Sequence, residues 1–168
     1  MSEPRWLNDD EQHTWRAFLN ASQLLLDQLD RELQRDADMP HAYFTILVAL
    51  SESPGGRLRM GELAEITWSS ASRLSHAVTR LEQRGWVRRT EVATDKRGHV
   101  AEISDEGMRV LKAAAAEHVG GVRAHLFDLL TDEQVRQLRE ISEIVMGHLA
   151  EHHPVAVRRA RATGPAAG

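Results

Sequence analysis

The chain has 168 residues, of which 42% are hydrophobic and 27% are charged, and its formal net charge is −4. This composition is ordinary for one soluble domain, or for a small domain with helical extensions. The sequence has no cysteine, which excludes disulfides, thiolate nucleophiles and Cys-based zinc sites. Its apolar runs are too short to span a bilayer, and its first residues do not resemble a signal peptide. We therefore expect a cytoplasmic protein with no membrane partner.

Positive charge is concentrated in one part of the chain. Residues 57–97 hold nine Lys or Arg and five Asp or Glu, whereas the remainder holds 12 basic and 20 acidic residues. A local excess of this kind suits contact with phosphates, and the acidic remainder would be held away from them. A solvated surface could have the same balance, so the charge needs a motif to support it.

The first 51 residues of the chain predict two helices. Asn8, followed by three acidic residues, is typical of a capped helix start. Apolar residues at helical spacing continue from there to about Arg35. Pro40 disfavours helix in the residue before it, so a second helix is expected from about His41 to Ser51.

A helix-turn-helix pattern follows the second helix. A short strand at 57–59 precedes a helix of barely two turns at 60–66. Residues 67–70 form the turn, in which Ser69 or Ser70 can cap the next helix.

The next helix and a β-hairpin complete this unit. The helix is predicted over 71–84 and ends at Gly85, a typical C-terminal glycine. Its inner stripe consists of Leu74, Val78 and Leu81. Strands at 86–92 and 99–103 then enclose a basic tip. This order is typical of a winged helix-turn-helix, whose second helix enters the major groove of DNA while the tip suits the adjacent backbone or minor groove.

Two further helices are predicted after the hairpin. One begins at 104 or 105 and continues to about 130. The adjacent Gly120 and Gly121 within it predict a bend or a close approach of another helix. Thr131 and Gln134 form a capping box, so the last helix begins at 132.

The fold class is therefore mainly α with a small β-wing, a winged helix-turn-helix plus a helical dimerisation region. We assign residues 1–35 and 105–153 to the dimerisation helices, 36–104 to the DNA-binding domain and 154–168 to a disordered tail. The apolar stripes of the outer helices exceed what a small winged domain covers, so a second subunit is inferred. Packing of these helices on one another in a monomer is the alternative.

Four segments carry a likeness to a known family: Leu-Arg-Met-Gly-Glu-Leu-Ala at 58–64, Leu-Glu-Gln-Arg-Gly-Trp-Val at 81–87, Asp-Lys-Arg at 95–97 and Ile-Ser-Asp-Glu-Gly at 103–107. They resemble the MarR (multiple antibiotic resistance regulator) family, over roughly residues 10–150. The resemblance implies a homodimeric transcription factor, usually a repressor, with double-stranded DNA as its partner. It also implies that a small, often aromatic acid commonly releases the DNA.

The residues predicted to contact DNA lie on the second helix of the motif and on the wing. They are Ser70, Ser72, Arg73, Ser75, His76, Arg80, Asp95, Lys96 and Arg97. Hydroxyls and helix N-terminal amides bind phosphate, and Arg can read guanine through two hydrogen bonds. Arg73 and His76 are the best candidates for base edges, and Arg80 for phosphate.

The wing residues have different expected roles. The resemblance places Arg97 in the minor groove. Asp95 would orient an arginine through a charge-assisted pair, and Lys96 is a backbone contact at most. Arg88 and Arg89 alternate along a strand, so only one of them should face the DNA.

The resemblance also implies an effector cleft between the winged domain and the dimer helices. The residues that could line it are Trp15, His41, Tyr43, Phe44, Trp68, His118 and Arg123. Aromatic walls with an imidazole or cationic anchor suit a carboxylate or a phenol. Each of these residues could instead belong to the ordinary core.

No enzyme, cofactor or metal site is predicted. The sequence lacks a Gly-rich phosphate loop, Gly-x-Ser-x-Gly and His-Glu-x-x-His. His148 and His152 have a spacing compatible with a metal, although no third ligand is fixed nearby by sequence. Two alternatives therefore stay open: a zinc-responsive regulator of the same fold, and a winged-helix protein-interaction module without DNA affinity.

Overall fold

The computed structural model describes the backbone of residues 4–92 and 95–152, and their side chains apart from 91–98 and 150–152. The predicted tail at 154–168 lies outside the described residues. Six helices are found in the part described: α1 Asp9–Ala37, α2 His41–Ser51, α3 Met60–Ile66, α4 Ala71–Gln83, α5 Asp105–His125 and α6 Asp132–His152. Three strands accompany them: β1 Arg57–Arg59, β2 Val87–Val92 and β3 Asp95–Ile103.

Helix starts follow the capping signals in the sequence. Asn8 and Glu11 form a reciprocal capping box at the start of α1, and Thr131 and Gln134 bond in the same way before α6. Ser104 accepts a hydrogen bond from the backbone N–H of residue 107 at the start of α5. Each cap satisfies amides that have no partner within the helix.

The predicted end of α5 at about Leu130 is wrong. The helix ends at His125, and a single 3₁₀ turn follows at Phe127–Leu129. Leu130 is extended. A cap residue needs non-helical backbone, so the chain has to leave α5 before Thr131 can begin α6.

The three strands form an antiparallel sheet in the order β1-β3-β2. Leu58 and Arg89 are both paired with Ala101, which is fully buried. β3 begins at residue 95 rather than 99, because it remains paired with β2 towards the tip. The buried Ala101 therefore places one face of the hairpin on the protein core.

The main core lies around α2, whose sequence is almost wholly apolar. Ile46, Leu47 and Leu50 are buried there. They belong to one cluster with the predicted inner stripe of α4, which is Leu74, Val78 and Leu81. The cluster fixes α4 against the rest of the domain and leaves its opposite face to solvent.

The glycine pair in α5 marks a close helix approach, as predicted. A Cβ at Gly121 would lie 2.5 Å from Oε2 of Glu32 and 3.2 Å from Cδ2 of Leu29, whereas one at Gly120 would meet nothing within 4 Å. Glu32 lies close enough to pair with His125, at 2.7 Å. The helix is continuous through both glycines, so α1 can pack closely on α5.

Large apolar side chains remain exposed on the outer helices. On α1 they include Trp15 and Phe18, and on α6 they include Ile141, Ile144 and Leu149. From Asp132 to residue 149, every α6 side chain is exposed except the half-buried Val135 and Leu138. None of the helices in the described ranges is long and apolar enough to cross a bilayer.

Candidate nucleic-acid interface

Helix α4 presents one polar face to solvent. Ser72, Arg73, His76 and Arg80 are exposed, and Ser75 is half-buried. Arg73, His76 and Arg80 are separated by three and four residues, which places them along a single side of the helix. The buried stripe on the other side leaves this face free to enter a groove.

The start of α4 is defined by Ser70, whose side chain accepts a hydrogen bond from the backbone N–H of Arg73 at 3.3 Å. Of the two predicted caps, Ser70 is therefore the one used. Its hydroxyl lies at the exposed, electropositive end of the helix dipole. A phosphate approaching this end would meet the amides of the first turn.

One arginine joins the recognition helix α4 to the wing. Arg89 of β2 donates to Oε2 of Glu82 at 2.7 Å and to Oγ1 of Thr79 at 3.1 Å. Its backbone N–H donates to the other oxygen of Glu82 at 3.1 Å. Arg88 is exposed on the opposite face of the strand. Of this alternating pair, Arg88 is thus the one left in solvent.

The wing residues Asp95, Lys96 and Arg97 lie at the start of β3, where Asp95 is opposite Val92 of β2. Their backbone is therefore at the tip end of the hairpin. Their side chains are outside the described residues, so the proposed contacts of this triplet remain predictions.

Three of the predicted effector residues come together between α2 and α5. The rings of Phe44 and His118 are 4.5 Å apart, and those of His41 and His118 are 5.6 Å apart. Burial lowers the pKa of His41, and Asp30 partly offsets this. Burial, and then the charge of His41, lower the pKa of His118, while Glu32 opposes the shift.

The Nδ1 atom of His118 is buried and has no hydrogen-bond partner in the described part of the chain. A cavity of about 10 Å³ adjoins His118, between Leu29 and Leu33 of α1 and Ala114 of α5. A volume of this size holds about one water at most. An organic ligand would therefore need α1 and α5 to separate locally.

The other predicted effector residues lie elsewhere. Trp15 stacks on Phe18 in the exposed part of α1, and Trp68 is exposed in the helix-turn-helix turn. Arg123 pairs with Asp128 at 2.7 Å. Tyr43 is half-buried against the main core. The structure therefore does not bring these four to the imidazole cluster.

Across the described residues, no group of three or more His, Asp or Glu side chains is close enough to hold a metal ion. His148 lies on α6, and the side chain of His152 is outside the described residues. The spacing of these two histidines alone supplies at most two ligands.

Sequence reasoning missed two residues that organise this interface. Arg84 reaches from the end of α4 to the end of α1, and Gly107 lets α5 begin against Trp86. The Ile-Ser-Asp-Glu-Gly segment contains the second of these, but its sequence gives no sign of which backbone the glycine meets. The contact of Arg84 joins residues 46 positions apart, which no local pattern can reveal.

A capped recognition helix with a solvated basic face, held against a β-hairpin wing, defines a winged-helix DNA-binding protein. The comparisons agree with this class. Residues 37–98 match a family model described as MarR family. Sco3205 from Streptomyces coelicolor, a MarR family regulator solved in complex with DNA, is 54% identical, with a TM-score of 0.82 over 86% of this chain and 91% of its own.

Two further relatives support the same assignment. AbsC from Streptomyces coelicolor is 40% identical, with a TM-score of 0.82 over 88% of this chain and 99% of its own. The transcriptional regulator HosA from Escherichia coli is 30% identical over 99 residues, which are 59% of this chain and 72% of HosA. The chain belongs to the MarR family. It is a DNA-binding transcriptional regulator, and its homologues are regulators rather than enzymes.

Proposed function

We propose that the protein is a homodimeric, cytoplasmic repressor that binds a pseudo-palindromic operator and is released by a small ligand. The exposed face of α4, with Arg73, His76 and Arg80 in one row, is the observation that carries the proposal. Two such helices related by a two-fold axis would read two half-sites about one DNA turn apart. We further propose that 1–35 and 105–153 form the dimerisation region around the DNA-binding domain at 36–104.

The apolar face of α6 supports dimerisation. Ile141 is 60% exposed and Ile144 is 72% exposed in the single chain. Contiguous apolar surface of this kind is typical of an interface. Ile144→Asp would place a charge in that interface, so the variant should sediment as a monomer at concentrations where the natural chain is a dimer. Arg139→Asp, on the opposite face of α6, is the matched control and should stay dimeric.

The wing is proposed to place Arg97 in the minor groove next to each half-site. Arg97→Ala should weaken operator binding by about 1–3 kcal/mol and leave the dimer intact. Arg109→Ala is the control, because Arg109 pairs with Glu106 on the exposed side of α5. An Arg97→Ala affinity equal to that of the control would contradict the wing assignment.

DNA binding itself is tested by fluorescence anisotropy, with a library-selected palindromic duplex and a scrambled duplex across a salt series. A large affinity ratio, with one dimer per duplex, is expected. Equal and steeply salt-dependent binding to both would mean that charge alone acts. That result would favour the alternative that the protein is a winged-helix module for protein interactions.

The cluster of His41, Phe44 and His118 is proposed as the effector site. The free Nδ1 of His118 offers a hydrogen bond to a carboxylate or a phenol, and the neighbouring rings supply aromatic walls. Because the cavity is small, a bound acid would push α1 from α5 and favour a spacing of the α4 helices that does not fit DNA. Hydroxybenzoates should dissociate the natural chain from the operator, whereas the His118→Ala variant should stay bound. Equal dissociation of both proteins would contradict the assignment of the effector site to this cluster.

A further inference from the structure

Arg84 connects the end of the recognition helix to the end of α1. Its Nη1 donates to the backbone carbonyl oxygen of Asp38 at 2.7 Å, and its Nη2 donates to the carboxylate of the same residue at 3.0 Å. The planar guanidinium thus holds the C-cap residue of α1 through two hydrogen bonds. This geometry fixes a direction as well as a distance.

The backbone at Asp38 and at Arg84 is arranged so that this contact can form. Asp38 caps α1 in the left-handed conformation, with φ of 47°, and its N–H donates to the carbonyl of Gln34. Its own carbonyl is thereby turned out of the helix. Arg84 is the C-cap of α4, directly before Gly85 with φ of 72°. The side chain of Arg84 therefore links the C-terminal end of α4 to the C-terminal end of α1.

The same arginine lies on a buried tryptophan. The guanidinium carbon of Arg84 is 4.8 Å from the ring centre of Trp86, which is only 9% exposed. The carbonyl oxygen of Trp86 accepts from the N–H of Ser104, and the hydroxyl of Ser104 donates to the carbonyl of Gly85 at 2.6 Å. The end of α4 is thus tied to the start of α5 by the backbone and the side chain of Ser104, and to the end of α1 by Arg84.

We propose that Arg84 is a positioning residue that sets the angle of α4 relative to α1, and through it the separation of the two recognition helices in the dimer. The inference rests on the proposed dimer. Asp38 caps α1, and α1 lies in the proposed dimerisation region as far as residue 35, so any rotation of α4 against α1 alters the half-site spacing that the dimer accepts. Arg84 would then determine operator spacing without touching a base.

The contact suits a positioning role better than a stabilising one. The Asp38 side chain is 90% exposed, and exposed ion pairs stabilise proteins little. Neither Arg84 nor Asp38 belongs to the core cluster that holds the inner stripe of α4, so α4 should still form without this pair. Removal of the Arg84–Asp38 contact should let the angle between α4 and α1 vary, and it should not unfold the domain.

The test compares operators whose half-sites are moved together or apart by one base pair. Each step rotates one half-site by about 35° and shifts it by about 3.4 Å. The natural chain should prefer its own spacing by about tenfold or more. Arg84→Ala should reduce that preference at least about fivefold, because each subunit loses the two hydrogen bonds that fix the direction of α4. Sedimentation should show the same dimer for both proteins.

A second variant and a control complete the experiment. Arg84→Lys keeps the charge but loses the two-pronged contact, so it should also relax the spacing preference. Arg109→Ala removes an exposed arginine whose ion pair stays within α5, and it should keep the preference. A uniform loss of affinity at every spacing, with a salt slope lower by about two (about one for each subunit), would make Arg84 a phosphate contact and overturn the proposal. An unchanged preference in both Arg84 variants would also overturn it.

Results that would refute the proposed function differ from those that would refute the role of Arg84. If the natural chain is a monomer or does not distinguish the selected operator from a scrambled one, the repressor proposal is wrong whatever Arg84 does. If the natural chain passes those tests and only the spacing result fails, the positioning role alone is wrong.

Discussion

Gly107→Ala tests how closely α5 begins against the end of the recognition helix. A Cβ at this position would lie 2.1 Å from the carbonyl oxygen of Trp86 and 3.0 Å from Cγ1 of Ile103. Carbon and carbonyl oxygen normally stay about 3.3 Å apart or more. The clash is with backbone that already accepts a hydrogen bond from Ser104. A side-chain rotation therefore cannot relieve it, and the start of α5 has to move by about 1 Å.

The expected loss follows from two opposing effects. Overpacking of a buried site costs about 1–3 kcal/mol. Alanine gains at most about 1 kcal/mol over glycine in a helix, and less at Gly107, which is only the third residue of α5. The free energy of unfolding should therefore fall by about 1–2 kcal/mol.

Gly120→Ala is the matched control on the same helix. Nothing lies within 4 Å of a Cβ there, so the variant should gain about 0.5–1 kcal/mol from helix propensity. Urea unfolding followed by circular dichroism compares the two, at a fixed protomer concentration because a dimer's stability depends on it. Equal midpoints for the two variants would refute the reasoning about the Trp86 contact.

Two further predictions concern the recognition helix and the imidazole cluster. Ser70→Ala should cost about 1 kcal/mol of stability through the lost cap, while Ser72→Ala, which removes an exposed hydroxyl, should cost less than half of that; equal losses would contradict the capping role. Because burial lowers the pKa of both His41 and His118 from 6.5, the unfolded chain takes up more protons, and stability should fall as the pH drops below about 6.5 and through the lower folded-state values. Thermal unfolding between pH 7.5 and 5 measures this loss of stability. The variant His118→Gln should lose less stability over the same pH range; an equal loss in the variant and the natural chain would contradict the lowered pKa of His118.

The sequence determined the local elements because each depends on neighbours along the chain. The bounds of α2, α3 and β1 are those predicted, and the caps at Asn8 and Thr131 are formed as their side chains indicated. The inner stripe of α4 is buried as its spacing required. Capping, turns and helical periodicity act over a few residues, so a single sequence is enough to show them.

The candidate site was only partly predictable. The row of exposed residues on α4 follows from periodicity, and the structure places it as expected. The imidazole cluster is different, since only His41, Phe44 and His118 of the seven predicted residues are brought together. Which aromatic residues meet depends on how α1, α2 and α5 cross, and that is set by packing between distant segments.

The fold class, the family likeness and the polar face of the recognition helix were therefore within reach of the sequence alone. Tertiary structure decided that α5 begins against Trp86, that Glu32 lies over Gly121, and that Arg84 reaches Asp38. These contacts join segments far apart in the chain, and they form only once the helices are packed at one particular angle. Local sequence patterns do not determine the packing angle, because helices with the same amphipathic spacing can pack in many relative orientations.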